Sequence, residues 1–149
     1  MLEVKPNHGF KRGILAIDPG LATGIAWWSD DPRRAYTEVL DPEKFYDWVY
    51  TNLASFDLVV VEDFVISQQT MRKSRQNWSI EHIGFVRGLA YLNGVRMEVQ
   101  QASAAKSFCK NETLKRIGWW RPVSAGGHDN DALRHLLLTG VKHAVYNYT

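Results

Sequence analysis

The chain has 149 residues, of which 45% are hydrophobic, so it is long enough for one well-packed core and short for two. Its 18 basic and 16 acidic residues leave a net charge of only +2. The overall charge therefore does not by itself indicate a nucleic-acid-binding protein. The single cysteine, Cys109, excludes an internal disulfide and a cysteine-based metal cluster and is compatible with a reducing cytoplasm.

The beginning of the chain predicts a polar lead-in followed by a three-strand meander. Residues 1–12 are polar, and we expect them to form a loose lead-in. Residues 13–18 and Thr23–Trp28 are apolar runs joined by a tight turn at Pro19-Gly20, which is typical of two adjacent strands. Residues 35–40 alternate enough to predict a third, antiparallel strand with one wetter face.

A helix and a fourth strand are predicted next. Asp41 followed by Pro42 is a strong helix start, because Asp caps the first backbone N–H groups and Pro suits the first helical position. The apolar run 58–61 then ends on Glu62 and Asp63. Since a helix connects this run to the preceding strand, the run is predicted to lie parallel to the first strand.

The second half of the chain predicts three more helices and a fifth strand. The helices are expected at residues 79–93, 102–118 and 127–146, and the strand at residues 95–100. This order of elements predicts an α/β fold with a mixed five-stranded sheet, a three-strand meander plus two parallel strands, flanked by helices. We expect a single domain over residues 13–149.

Two glycines, Gly84 and Gly88, lie one turn apart on the predicted helix at residues 79–93. This spacing suits close backbone packing, either inside the domain or against a second subunit. Of these two arrangements, we favour packing inside the domain.

Two acidic side chains end the apolar runs that are predicted to be parallel strands. Asp18 closes the first run and Glu62 closes the second. The carboxyl ends of parallel strands open into the crevice where α/β sheets place functional groups. If the two strands are neighbours, these carboxylates come close enough to share a divalent cation.

The start of the last predicted helix supplies a further group of polar side chains. His128 and Asp131 are three residues apart and therefore share a helical face, which also carries His135. Asp129 points elsewhere. This face predicts a third contribution to the same site.

Hard cations such as Mg²⁺ prefer oxygen ligands. Two such ions about 4 Å apart activate a water and stabilise the leaving oxygen in phosphodiester hydrolysis. The chemistry needs three or four acids or equivalents on separate elements. The chain offers Asp18, Glu62 and Asp131, with His128, Asp129 and Asp63 in reserve.

Each acid also has a purely structural interpretation. Asp18 is then a turn residue that bonds its own backbone, and Glu62 and Asp63 mark where a strand reaches water. Asp129 is then a helix cap, and Asp131 complements the helix dipole. Two strand-terminal acids together with an acidic helix start are less expected by chance than any one of them, which favours the metal site.

The motifs that carry these acids occur in a fixed order. Ile17-Asp18-Pro19-Gly20 is followed by Thr23-Gly24, then by Val60-Val61-Glu62, and then by the run from His128 to Leu133. Over roughly residues 13–145, this ordered set resembles the RuvC-like Holliday junction resolvases and, more narrowly, their compact phage-encoded members. The resemblance implies an RNase H-like fold, a divalent-metal active site with Mg²⁺ or Mn²⁺, and endonucleolytic cutting of branched DNA by a homodimer.

The same resemblance assigns roles to individual residues. Asp18, Glu62 and Asp131 match the metal-binding acids of the family, and His128 stands where many members have an acid and some a histidine. Because imidazole is a softer ligand than carboxylate, His128 either binds a metal such as manganese or zinc or contacts the attacking water or phosphate. Asp129 is the alternative fourth ligand if the helix begins later than predicted.

Two basic stretches are candidates for DNA contact, with a solvated surface as the alternative for both. The first lies directly after Glu62, where the resemblance places junction-probing residues, and the second lies on the predicted helix at 102–118. Trp119 and Trp120 either stack on unpaired bases or, as we favour, cover an edge of the core. The candidate DNA-binding residues are Arg72, Lys73 and Arg75 in the first stretch and Lys106, Lys110, Lys115 and Arg116 in the second.

The sequence therefore predicts a crossover junction endodeoxyribonuclease that cuts four-way or other branched DNA. An RNase H acting on RNA–DNA hybrid is a variant of the same prediction. No apolar run reaches membrane-spanning length and no signal-peptide core begins the chain, so we expect a cytoplasmic protein, in the host cytoplasm if it is phage-encoded.

Two other functions stay open at this point. Asp18, Gly20 and Thr23-Gly24 also resemble the first hairpin of actin-like and sugar kinases, which bind nucleotide between two such domains, whereas this chain supplies only one. The second alternative is a catalytically silent module that binds branched DNA on the same fold.

Overall fold

A mixed sheet of five strands forms the centre of the computed structural model, which describes residues 2–63, 77–122 and 125–148. The outer strand β4 (Tyr36–Leu40) pairs antiparallel with β3 (Thr23–Trp28), and β3 pairs antiparallel with β2 (Ile14–Asp18). Strands β2, β5 (Leu58–Glu62) and β6 (Arg96–Gln100) are parallel. The predicted meander and parallel strands are therefore confirmed. The spatial order is β4, β3, β2, β5 and β6.

Helices cover both faces of this sheet, because its central strands are apolar on both sides. Ile14 and Ala16 of β2 pack in one core with Leu133 and Leu136, whereas the alternate residues Leu15 and Ile17 pack in a second core. The second core also contains buried side chains of α1 (Pro42–Asn52) and α2 (Trp78–Asn93). The helices of the described residues are α1 (Pro42–Asn52), α2 (Trp78–Asn93), α3 (Ala102–Phe108), α4 (Asn111–Ile117) and α5 (His128–Lys142). None of them is long and apolar enough to cross a membrane.

The strand register sets the position of the acids. Ile17 of β2 pairs with Val61 of β5, so Asp18 and Glu62 follow at the same edge of the sheet. Asp18 also pairs with Gly24 on β3. The expectation that the first and fourth predicted strands are neighbours is confirmed.

Two helix ends that a capping residue marks in the sequence, the start of α1 and the end of α2, lie where the sequence predicts them. The Asp41 carboxylate accepts a hydrogen bond from the Lys44 N–H at 2.9 Å, and α1 begins at Pro42. Helix α2 ends at Asn93, and Gly94 follows in the left-handed conformation with φ 65°. Side-chain capping and glycine's access to positive φ account for these boundaries.

The predicted helix at residues 102–118 is wrong in one respect, because the structure has two short helices there. Cys109 is extended at φ −123° and ψ 102°, which ends α3, and Lys110 is the N-cap residue of α4. The break lets Cys109 and Leu114 both enter the core that lies under α5. Burial of these two side chains overrides the helical pattern.

The last helix ends earlier than predicted, at Lys142 instead of residue 146. Ala144 adopts a left-handed conformation with φ 58°, and the Val145 N–H donates to the Gly140 carbonyl at 2.8 Å. This is a Schellman-type ending. It turns Val145 and Tyr146 into the core, where they are 0% and 1% exposed.

The lead-in is also more ordered than expected. Strand β1 (Glu3–Val4) pairs antiparallel with β7 (Tyr146–Asn147) in a separate two-stranded sheet, and Leu2 is buried. The N-terminal segment is therefore attached to the domain through the chain end that follows α5.

The expected packing of Gly84 and Gly88 inside the domain is not found among the described residues. Both are exposed on α2, and a Cβ atom at either position would meet no heavy atom of the described residues within 4 Å. Tyr91 and Leu92 of the same helix are also exposed, by 86% and 78%. This outward face of α2 has no partner within the described part of the chain.

Candidate active site

Asp18 lies at the carboxyl end of β2 and is only 7% exposed. Its hydrogen-bond partner is the ring of His128, with 3.1 Å between Asp18 Oδ2 and His128 Nδ1. The turn that follows is closed by Thr23, whose hydroxyl accepts from the Gly20 N–H and donates to the Gly20 carbonyl. Thr23 therefore makes the turn's side-chain contacts, so the interpretation of Asp18 as a turn residue loses its basis.

A close backbone contact places the start of α5 beside Asp18. A Cβ atom on Gly24 would lie 2.0 Å from the His128 carbonyl oxygen, so glycine is what allows the helix to approach β3 here. Gly24 is the register partner of Asp18. Thr23 thus closes the turn, and Gly24 lets the helix that carries His128 and Asp131 pack closely against β3.

The first turn of α5 distributes its polar side chains over different partners. Asp131 Oδ1 is 3.8 Å from Arg134 Nε, and the Asp131 side chain is 24% exposed. Asp129 is buried, and its carboxylate accepts from the Asn130 N–H at 2.8 Å. Gly127 is the N-cap residue, so Asp129 does not have the capping position considered for it.

Glu62 lies at the end of β5 and contacts a buried histidine of α5. Its Oε2 is 2.8 Å from His135 Nε2, and the other ring nitrogen is 2.7 Å from Gln100 Oε1. Gln100 ends β6 and is the register partner of Glu62. Glu62 is therefore supported by α5 and β6 together.

The carboxylates of three elements act on one another. The pKa of Asp18 is raised from 3.8 to about 6, mainly because burial removes the carboxyl from water and next because of the negative charge of Glu62. The charge of Asp131 also raises the pKa, whereas the hydrogen bond and charge of His128 lower it. The charges of Glu62, Asp131 and His128 therefore all act on the Asp18 carboxyl, and we call these four side chains one electrostatic unit.

This unit suits a divalent cation in charge and donor chemistry. Ionised Asp18 is destabilised by two neighbouring carboxylates, and a cation bound between them would offset that repulsion. Their oxygen donors are those that Mg²⁺ and Mn²⁺ prefer. Among the residues that the structure describes, no three His, Cys, Asp or Glu side chains are close enough together to form a ready-made metal cage.

The backbone is similar to two structures of RuvC from Thermus thermophilus. One is RuvC in complex with a Holliday junction substrate, with a TM-score of 0.61, 17% identity, and 91% of this chain and 98% of that chain covered. The other is RuvC, with a TM-score of 0.63, 16% identity and the same coverage of 91% and 98%. The chain has the RuvC fold.

This RuvC fold is the RNase H-like architecture that the sequence predicts. No protein-family model matches the chain, and no curated protein matches it either. The likeness is therefore carried by backbone geometry and the order of a few motifs. The narrower resemblance to phage-encoded members stays a prediction.

In this chain, the second basic stretch consists of Lys106 on α3, Lys110 at the N-cap of α4, and Lys115 and Arg116 on α4. A cavity of about 300 Å³ is lined by side chains that include Lys106, Lys110 and Arg134. Lys115 lies over the Trp120 ring at 5.1 Å, and all four predicted basic residues of this stretch are exposed. The predicted residues Arg72, Lys73 and Arg75 lie outside the described residues.

Trp119 and the neighbouring Arg121 have structural contacts. The Trp119 ring is buried in the core, and its Nε1–H donates to the Arg33 carbonyl at 3.0 Å. Arg121 Nη2 donates to the Ala35 carbonyl at 2.7 Å and its Nε to Thr37 at 3.1 Å. The preferred interpretation of Trp119 as a core residue is confirmed.

Sequence reasoning missed the roles of His135 and Gln100. His135 was recognisable as a member of the His128 and Asp131 face, since it lies one turn beyond Asp131. Its contact with Glu62 depends on how α5 crosses β5, which no local pattern encodes. Gln100 gives no sequence signal, because a polar residue at the end of a strand is ordinary.

Proposed function

We propose that this chain is a divalent-metal-dependent endonuclease that hydrolyses phosphodiester bonds in Holliday junctions or other branched DNA. The observation that carries the proposal is the Asp18 carboxyl at one edge of the sheet, whose pKa is raised first by burial and then by the charges of Glu62 and Asp131. The RuvC fold supports the choice of substrate, because one of the similar structures is RuvC with a Holliday junction substrate.

In this proposal, Asp18, Glu62 and Asp131 hold Mg²⁺ or Mn²⁺, with two ions per active site. Such ions activate a water and stabilise the leaving oxygen of the scissile phosphodiester. His128 orients the Asp18 carboxylate through its Nδ1 contact. The His128 side chain is 35% exposed, so it also reaches the space that a bound phosphate would enter.

DNA binding is assigned to the basic stretches. The exposed lysines of α3 and α4 suit phosphate oxygens, and Arg72, Lys73 and Arg75 follow the strand that carries Glu62. Each phosphate contact adds a slope of about −0.9 to the dependence of log affinity on log salt concentration. Binding to a four-way junction is therefore expected to weaken steeply with salt.

A homodimer is proposed because symmetric cutting of a four-way junction needs two active sites. The outward face of α2 supports a close helix contact, since Gly84 and Gly88 carry no side chain beyond Cα. Tyr91 and Leu92 supply exposed apolar area beside them.

The direct test is Asp18→Asn, assayed on synthetic four-way junctions with Mg²⁺ or Mn²⁺. We expect junction binding without cutting, because the variant keeps the shape of the side chain and loses a charged oxygen ligand. Asp47→Asn, which changes an exposed carboxylate on α1, is the matched control and should cut normally. Cutting by Asp18→Asn at the wild-type rate would contradict the proposal.

The same assay separates the other candidate functions. Saturable ATP binding with no junction binding would favour a nucleotide-binding phosphotransferase. Junction binding by a wild-type protein that binds no divalent cation would favour a silent DNA-binding module. Preferential cutting of RNA–DNA hybrid would favour an RNase H activity.

A further inference from the structure

His135 is a buried histidine whose two ring nitrogens both contact polar groups. The residue is 1% exposed and lies on α5, one turn beyond Asp131. Its Nε2 is 2.8 Å from Glu62 Oε2, and its Nδ1 is 2.7 Å from Gln100 Oε1. Two contacts on opposite sides of the ring fix both its position and its plane.

The ring is itself supported from two elements. Gln100 is buried at the end of β6, and its amide nitrogen is 3.5 Å from the Thr139 hydroxyl. Thr139 lies one turn beyond His135 on α5 and is 1% exposed. The row Thr139, Gln100, His135 and Glu62 thus runs from α5 to the edge of the sheet.

The contact constrains only one of the two Glu62 carboxylate oxygens. A carboxylate accepts hydrogen bonds, so His135 Nε2 donates to Oε2. Glu62 Oε1 has no hydrogen-bond partner among the described residues. The side chain is therefore held in one orientation with one oxygen left for another ligand.

A second histidine–glutamate pair joins the residue that follows α5 to β6 and has a different geometry. His143 follows α5, and its Nε2 lies 2.6 Å and 3.0 Å from the two carboxylate oxygens of Glu98 on β6. Arg96 also contacts Glu98, at 3.3 Å. Both oxygens of Glu98 are occupied, as expected of a structural ion pair, whereas the described residues contact only one oxygen of Glu62.

We propose that His135 is a positioning residue, which orients Glu62 so that Oε1 is presented to the catalytic cation, and that Gln100 fixes the His135 ring. The inference rests on the proposed function, because it assigns a role toward the same metal site. Histidines and carboxylates just outside a metal's ligands commonly set ligand orientation, and their loss weakens metal affinity or activity about 10- to 100-fold.

The test measures metal binding to the DNA-free protein by titration calorimetry with Mn²⁺. His135→Ala should weaken binding about 10- to 100-fold, while the affinity for a junction in Ca²⁺ or without metal stays unchanged. His135→Gln, which returns an N–H donor, should recover part of the metal affinity. His143→Ala removes a histidine–glutamate contact of similar length and should leave Mn²⁺ affinity unchanged.

Gln100→Ala gives a second measurement if His135→Ala does not fold. This variant keeps His135 but removes the contact between His135 Nδ1 and Gln100. It should therefore weaken Mn²⁺ binding by less than His135→Ala does. The inference is overturned if the folded His135 and Gln100 variants bind Mn²⁺ like wild type, or if His143→Ala weakens binding as much. Failure of the wild-type protein to bind any divalent cation would instead overturn the proposed function.

Discussion

At the scale of single residues, Asp18 combines burial with two like charges, and this combination makes its ionised form unfavourable in the folded protein. Its pKa in the folded state is about 6, against 3.8 for an ordinary aspartate. Between these values the folded protein binds more protons than the unfolded chain. The free energy of unfolding of the metal-free protein should therefore fall as pH rises from about 4 to about 6.

The size of this fall is about 3 kcal/mol, with the pKa difference converted at about 1.4 kcal/mol for each pH unit. Urea unfolding in EDTA across this pH range measures it. Asp18→Asn should flatten the dependence and be more stable than wild type at neutral pH, whereas Asp47→Asn should keep the wild-type slope. An unchanged slope in Asp18→Asn would contradict the assignment.

Gly24 carries a second prediction at this scale. A Cβ atom there would lie 2.0 Å from the His128 carbonyl oxygen, so Gly24→Ala must displace the start of α5 from β3. Overpacking of this kind costs about 1–3 kcal/mol. We expect a matching loss of unfolding free energy and a loss of junction cutting, measured on the same preparation. Normal cutting by Gly24→Ala would show that the position of the helix start is not critical.

The residues of the candidate site differ in how far the sequence could identify them. Asp18 and Glu62 end apolar runs, and the helix between these runs favours parallel strands, which locates both acids at one sheet edge if the strands are neighbours. His128 and Asp131 follow from helical spacing. His135 shares that spacing, but its contact with Glu62 arises from the crossing of two elements distant in sequence, and only the folded structure supplies it.

At the scale of elements, boundaries that depend on neighbouring residues were predictable and those that depend on packing were not. The N-cap Asp41 and the C-terminal Gly94 act through hydrogen bonds and φ values of their own segment. The break at Cys109 and the early end of α5 instead serve to bury Cys109 and Tyr146. Burial of a side chain against a distant strand leaves no local pattern.

The ending of α5 provides a prediction at this scale. Ala144 is exposed and held at φ 58°, a conformation that costs a non-glycine residue about 1 kcal/mol. Ala144→Gly should therefore raise the free energy of unfolding by about 1 kcal/mol without changing junction cutting. Ala104→Gly, at an exposed helical position of α3, should lower it by a similar amount, about 1 kcal/mol. Equal effects of the two substitutions in chemical denaturation would contradict the proposed strain.

At the scale of the whole molecule, the outward face of α2 predicts the state of assembly. Sedimentation equilibrium of the wild-type protein should give the mass of a dimer, and Leu92→Glu should shift it toward the monomer by placing a charge in the contact. Tyr50→Glu is the control, because Tyr50 is 76% exposed on α1, outside that face. If the wild-type protein is a monomer, or if Leu92→Glu leaves a dimer unchanged, the proposal that α2 forms the dimer interface is contradicted.

The central position of β2 has a consequence for how the protein unfolds. This strand contributes Ile14 and Ala16 to one core and Leu15 and Ile17 to the other, so the two helical layers share a single backbone segment. We therefore expect that neither layer melts while the other keeps its packing. Denaturation is therefore expected to be a single cooperative transition. Asp18 lies at the end of that shared segment, so the proposed metal site is expected to be lost in the same step, with no partly unfolded form that retains it.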